Sequence, residues 1–296
     1  MGFIMEDIIM KAEILIESLP YIRKFWGRTF VIKYGGAAQV KEELKESFAK
    51  DIVMLNLIGI KTTIVHGGGP SISAMMKKMG KKPAFVDGQR VTDEETMNIV
   101  EMVLGGLVNK EIVSLINSHG GKAVGLSGKD GALIKAKKKL IKKSSETGID
   151  EIIDIGLVGE VTQVDPNVIV SLEKGGFIPV ISPVGAGPKG ETLNINADYA
   201  ASAIASSLKA EKLILLTDVA GIIDKKEKII PTLKRRQIGR LVEDGTISGG
   251  MLPKVQACLK AIENGVSKTH IIDGRVPHCL LLEIFTKEGI GTEIQA

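Results

Sequence analysis

Apolar residues follow two rhythms along this chain. Between residues 5 and 19, Ile8, Ile9, Ala12, Leu15, Ile16 and Leu19 fall three or four apart, the stripe of an amphipathic helix. Pro20 should interrupt that stripe and leave a second, short apolar-aromatic turn at Tyr21, Ile22, Phe25 and Trp26. Because this segment precedes the first strand, it reads as an appendage to the main fold.

From residue 29 onward, short apolar runs alternate with helical-period segments. The runs predict strands over 30–32, 62–65, 123–126, 133–136, 156–164, 177–181, 213–216 and 269–272. The intervening segments predict helices over 42–57, 70–79, 93–117, 197–208, 234–243, 252–263 and 277–285, with a glycine-containing hairpin at 85–91. Strands alternating with helices predict an α/β fold with a mainly parallel sheet covered on both faces.

Charge and composition narrow the function classes. With 39 Lys and Arg against 35 Asp and Glu, the net charge of +4 gives no general polyanion-binding surface. The one basic run, from Lys135 to Lys143 and centred on Lys137, Lys138 and Lys139, lacks interleaved aromatics. It runs into Ser144, Ser145 and Glu146, so it reads as a solvated hairpin rather than a nucleic-acid patch. Cys258 and Cys279 have neither CxxC spacing nor a neighbouring His cluster, which predicts a reduced, cytoplasmic protein without structural zinc. No apolar run approaches a membrane span, and Glu6 and Asp7 near the N-terminus are unlike a targeting peptide.

The candidate chemistry sits where predicted strands end. The first strand closes as Ile32-Lys33-Tyr34-Gly35-Gly36, and a Lys at a strand's C-terminal edge reaches the crevice where open α/β sheets bind ligands. The second closes as Val65-His66-Gly67-Gly68-Gly69-Pro70 and enters a helix, which offers bare N–H groups to an anion. His66 reads as structural. Arg90 could clamp a carboxylate or form a surface ion pair.

In Asn194-Ile195-Asn196-Ala197-Asp198 the polar residues crowd a helix start, where Asp198 is either a cap or part of a binding edge. Thr217-Asp218-Val219-Ala220-Gly221 is another strand edge opening into a turn. Gly249-Gly250-Met251-Leu252-Pro253-Lys254 places a Lys in a first helical turn, where the dipole disfavours it, so an anion such as a bound phosphate should compensate it. Gly185 to Gly190 spells G-x-G-x-x-G, but Pro188 breaks it and helical character begins only near Ala197, against a dinucleotide fold. No Walker sequence is present, so any ATP site is not a P-loop.

Taken in order, these blocks resemble the amino-acid kinase family over nearly the whole chain. Arg90-Val91-Thr92, Gly128-Lys129-Asp130 and the stretch from Leu281 to Thr292 resemble, within it, the branch whose acceptor is N-acetyl-L-glutamate. The resemblance implies an open αβα sandwich of two lobes, with a helical extension over 1–28, an acceptor lobe over 29–209 and a nucleotide lobe over 210–296.

It further implies that Lys33 and Lys254 stabilise a transferring phosphoryl group and that Asp198 orients both. Gly36, Gly68, Gly69, Arg90 and Asn194 are expected to hold the acceptor. Asp218, Val219, Ala220, Gly221, Ile222 and Ile223, with Gly249 and Gly250, are expected to line ATP, which arrives with Mg²⁺; no metal-ligating residue is assigned. Some members with such an extension are inhibited by L-arginine and interlace dimers into a hexamer; Lys212, Glu283, Gly289 and Gly291 resemble the effector site. Glutamate 5-kinase activity and a catalytically silent arginine sensor are the alternatives within this resemblance.

Overall fold

The computed structural model describes residues 2–144 and 150–296. Its centre is an eight-stranded sheet in the order Thr232–Lys234, Thr292–Gln295, Lys268–Asp273, Lys212–Thr217, Thr29–Tyr34, Lys61–His66, Ile178–Ser182 and Ala123–Ser127. The last six of these strands are mutually parallel, whereas Thr292–Gln295 pairs antiparallel with Lys268–Asp273 and carries Thr232–Lys234 parallel to itself. The expected parallel αβα sandwich is therefore present, with two reversed strands at one edge.

The pleat assigns alternate residues to opposite layers. On one face Phe30, Ile32, Tyr34, Ile64, Val180 and Ile214 pack with the helices Glu42–Leu57 and Asn109–Ser118. On the other, Val31, Val65, Ile181, Leu213 and Leu215 pack with the helices Ala197–Ser207 and Met251–Glu263. Lys33 shares the side of Val31 and so emerges, at the strand end, toward the second pair of helices.

A smaller closed barrel joins Ile134–Ser144, Asp150–Val164, Val184–Ala186 and Thr192–Ile195. The basic run lies on its long hairpin, where Lys137 and Lys138 pair with Glu160 and Asp154 at the surface. The expected polar tip at Ser145 and Glu146 lies outside the described residues. The literal G-x-G-x-x-G stretch turns between the antiparallel strands Val184–Ala186 and Thr192–Ile195 and enters no helix.

One local expectation is corrected. Helix Gly2–Phe25 continues through Pro20 rather than stopping there. Ile16, whose carbonyl loses its intrahelical donor to the proline, is 65% exposed, so water can satisfy that carbonyl and the break is not forced. The helical segments expected over 93–117 are present as three pieces, Glu94–Glu101, a π-helical Met102–Val108 and Asn109–Ser118. The helix Asn167–Lys174 and the strands Val184–Ala186, Thr192–Ile195, Thr232–Lys234 and Thr292–Gln295 had no separate signal, being short or mixed in polarity. No described helix is long and apolar enough to cross a membrane.

Candidate active site

Three elements deliver three charges to one point. Lys33 ends the central strand Thr29–Tyr34, Asp198 lies in the first turn of Ala197–Ser207, and Lys254 lies in the first turn of Met251–Glu263. Lys33 Nζ is 3.1 Å from Asp198 Oδ1, and Lys254 Nζ is 3.0 Å from Asp198 Oδ2. Lys254 donates a hydrogen bond to Asp198 Oδ2, while Lys33 faces the buried Oδ1 as an ion pair. Burial pushes the Asp198 pKa up, but the Lys33 and Lys254 ammoniums outweigh it and leave the carboxyl below its ordinary range.

The helix start is arranged to keep that carboxylate available. Asn196, not Asp198, is the N-cap, accepting hydrogen bonds from Asp198 N at 2.9 Å and Tyr199 N at 3.3 Å. The two helices are fixed to each other by Ser202 Oγ donating to Ala257 O at 2.7 Å and by Tyr199 Oη donating to Gln256 at 2.7 Å. The anion that the sequence requires beside Lys254 is thus supplied by the protein as Asp198.

The glycine loops come together next to Lys33. Gly67 N donates to Tyr34 O at 2.8 Å, and Gln39 Nε2 spans Tyr34 O and Gly67 O. Gly68 caps helix Gly69–Lys78, and a Cβ there would stand 2.5 Å from the end of the Leu104 side chain in the π-helical turn, so a larger residue would have to displace that side chain. Gly36 has a φ of 68°, in the left-handed region. His66 is fully buried: Nδ1 donates to Gly67 O at 2.8 Å and Nε2 accepts from Asn109 Nδ2 at 3.2 Å. Burial lowers its pKa to about 4, so it is a neutral strut for the loop.

Arg90 and Asn194 approach the same corner. Arg90 is buried, donates to Gly69 O at 3.0 Å and Ser73 Oγ at 2.8 Å, and lies 4.8 Å from the Phe85 ring centroid. Burial lowers its pKa, and it has no carboxylate partner among the described residues. Asn194 Nδ2 donates to Thr92 Oγ1, which donates to Arg90 O. In the Gly128-Lys129-Asp130 block, Asp130 accepts from Ser127 N and Lys129 pairs with Glu101, which is a structural clamp.

A cleft of about 780 Å³ opens on the site and is lined by Asp198, Lys254, Gly249, Gly250, Tyr199 and Lys139, among others. The turn formed by Asp218 to Ile223 is not part of that lining. It is braced instead against the edge strand Thr292–Gln295: Ile222 N donates to Thr292 Oγ1 at 2.8 Å, and a Cβ on Gly221 would stand 2.8 Å from the same oxygen. A separate pocket is lined by Tyr34, Phe48, Ile112 and the Lys45–Glu111 ion pair, and shares no lining residue with that cleft.

A second buried polar cluster gathers Lys212, Glu283 and Gly289. At its middle is His270, which the sequence reading passed over; an ionisable residue inside an apolar strand was the available signal. Lys212 Nζ is 2.9 Å from His270 Nε2, and His270 Nδ1 is 2.7 Å from Glu283. Because an ammonium can only donate, Nε2 is the acceptor and Nδ1 carries the proton. Burial lowers the His270 pKa despite Glu283 and Glu293, and brings Lys212 down to about 8. Ile290 N donates to Glu283 Oε2 at 2.7 Å, and a Cβ on Gly289 would stand 2.8 Å from that oxygen. Gly291 lies against Ile271 O, where a Cβ would stand 2.3 Å away. The Phe25 ring of the N-terminal helix covers the Lys212 ammonium at 5.4 Å.

Three comparisons bear on this geometry. A model described as the amino acid kinase family matches residues 28–273. An acetylglutamate kinase of Syntrophus aciditrophicus is 60% identical over 96% of this chain and 96% of its own. Another acetylglutamate kinase, from Geotalea daltonii, is 56% identical over 99% of this chain and 100% of its own. Among solved structures, the N-acetylglutamate synthase of Neisseria gonorrhoeae, complexed with coenzyme A and N-acetyl-glutamate, superposes with a TM-score of 0.82 at 26% identity. That match covers 96% of this chain and 63% of the longer synthase, which is also known complexed with L-arginine.

The charge triad around buried Asp198 makes a stability prediction. Asp198→Asn should cost about 3–5 kcal/mol in denaturant unfolding at neutral pH, because it strands two ammonium groups. A carboxyl whose folded pKa is depressed contributes fully above its unfolded value and loses that contribution as pH falls through the folded value. The variant should therefore lie closest to wild type in acid, and an equal gap at every pH is the contrary result.

Proposed function

The chain belongs to the amino acid kinase family, and from that premise we propose that it transfers the γ-phosphoryl group of MgATP to the side-chain carboxylate of N-acetyl-L-glutamate. The product is N-acetyl-L-glutamyl 5-phosphate, an early intermediate of arginine biosynthesis. One observation carries the reading: two ammonium groups from separate elements meet at one carboxylate, in a chain 60% identical from end to end to a relative named for this activity.

The chemistry asks little of acids and bases. A glutamate-type carboxylate, with a pKa of about 4.3, is already the nucleophile at neutral pH. The obstacle is repulsion between that anion and the triphosphate, and the charge spread over three equatorial oxygens during transfer. Lys33 and Lys254 oppose it, with Asp198 holding both. Backbone N–H groups of Gly36, Gly68 and Gly69 face the phosphoryl group and the acceptor, while Arg90 and Asn194 hold the acceptor's remaining polar groups. Gly249, Gly250 and the turn from Asp218 to Ile223 receive the nucleotide. Mg²⁺ enters with ATP as part of the substrate.

On this reading residues 29–209 are the acceptor lobe, 210–296 the nucleotide lobe and 1–28 a regulatory extension, and the step is cytoplasmic. Regulation by L-arginine at Lys212, Glu283, Gly289 and Gly291 belongs to the same proposal. In its support, Ile9, Ile14, Leu15, Ile16 and Leu19 are exposed along the N-terminal helix, an apolar stripe that its own subunit leaves uncovered. The far end of the same helix packs Tyr21 on Phe285 and Phe25 over Lys212. Interlacing of such helices from neighbouring dimers into a hexamer would cover the stripe.

ADP release measured with N-acetylglutamate, glutamate, aspartate, carbamate and UMP should be fastest with the first; a preference for free glutamate would assign a different acceptor, and silence with all five a pure sensor. Lys33→Ala and Lys254→Ala should each lower turnover by roughly 10²–10³ with folding intact, and near-wild-type turnover in either defeats its role. Removal of residues 1–25 should give dimers less sensitive to arginine, as read by light scattering and inhibition curves; unchanged hexamers are the opposing outcome.

A further inference from the structure

The basic hairpin contains one lysine that differs from its neighbours. Lys137 and Lys138 point to the surface and pair with Glu160 and Asp154. Lys139 sits where the ladder slips: Lys138 pairs with Gly159 and Leu140 with Asp154, so the register jumps at that residue. Bulges of this kind re-aim a side chain and recur beside active sites. Here the slip turns Lys139 inward, with its ammonium 5.4 Å from the Tyr199 ring centroid, one residue from Asp198.

Lys139 makes no ion pair or hydrogen bond with a described residue. It lines the cleft of Asp198, Lys254, Gly249 and Gly250, and with Gln89, Asn196 and Tyr199 it separates that cleft from an adjoining cavity of about 240 Å³. Half-burial lowers its pKa, partly offset by Glu160 on the far side of the partition. Asp87 is a carboxylate on the cleft's rim. Asp198 already balances one of the two positive charges of Lys33 and Lys254, so the cleft needs further positive charge to hold a polyanion.

We propose that Lys139 is a third cleft cation, which binds the triphosphate of the nucleotide from the hairpin side. This deepens the MgATP reading above and rests on it. The acceptor is the weaker alternative, because Arg90 already presents an unpaired guanidinium beside Gly69. Gly249, Gly250 and Lys254 line the same cleft at a helix N-terminus, where phosphate is favoured.

The test uses the full chain without acceptor. Calorimetric affinities for ATP and for AMP are compared in wild type, Lys139→Met and Lys139→Arg. Methionine keeps an apolar stem over Tyr199 while removing the charge. The expected result is an ATP affinity weakened about tenfold in Lys139→Met, the scale of one charge-assisted bond, with AMP unchanged and Lys139→Arg within about threefold of wild type. In turnover, the KM for MgATP should rise while that for N-acetylglutamate holds. Unchanged ATP affinity in Lys139→Met, or equal losses for ATP and AMP, overturns the assignment. If ATP binding depends on Lys139 but no acceptor releases ADP, the acceptor reading fails and this one stands.

Discussion

A buried carboxylate between two ammonium groups imposes strict demands on the chain around it. Asp198 is 5% exposed, and a lone charge so far from water would neutralise itself rather than ionise. It remains ionised because Lys33 and Lys254 each stand about 3 Å away. The strand end and two helix starts must therefore meet to within a bond length, and the fold around them is built for that. The pleat puts Lys33 on the side of the two helices, Asn196 takes the capping role, and Ser202 locks the helices at the right offset.

The same sheet carries a second buried charge system at its other end. Phe30 pairs with Lys212 and Lys33 with Leu215, so the two buried lysines stand three residues apart along adjoining parallel strands. At roughly 3.3 Å per residue that is about 10 Å along the strand direction. The pleat also sends them to opposite layers, Lys33 toward Asp198 and Lys212 toward Phe25 and His270. Two adjacent strands in one rigid sheet thus join the candidate catalytic lysine to the cluster under the N-terminal helix, a short physical connection between a reaction centre and a candidate control site.

Much of this was legible because each strand-end motif is local. Lys33-Tyr34-Gly35-Gly36 and the His66 glycine run advertise themselves by placing Lys and Gly where an apolar strand stops, and the structure brings them together through Gly67 and Tyr34. The misplaced charge of Lys254 was legible too, but from the residues alone its partner was not: Asp198 is 56 residues away, the resemblance alone pointed to it, and folding places it 3.0 Å from that lysine. His270 was missed because one polar residue in an apolar strand has no periodic signature. The π-helical turn was missed because 102–108 reads as ordinary helix. The short edge strands escaped for the same cause: Thr292–Gln295 is a strand because Lys268–Asp273 offers it an edge, not because its own sequence demands one.

The distribution of partners among the buried cations Lys33, Arg90 and Lys212 and the half-buried Lys254 separates structural from chemical roles. Lys212 is satisfied within the protein by His270, and the Glu283 and Glu293 carboxylates favour its charge, so its position is stable with nothing bound. Lys33 and Lys254 share a single carboxylate, which leaves them jointly with one positive charge in excess. Arg90 has only neutral acceptors: a backbone carbonyl, a hydroxyl and a thioether. Burying cations without matching anions is unfavourable unless the missing anions arrive from outside. The surplus is concentrated around the two glycine loops and the start of Met251–Glu263. A carboxylate acceptor and a triphosphate are the anions that would balance it, and their mutual repulsion is what the surplus is placed to overcome.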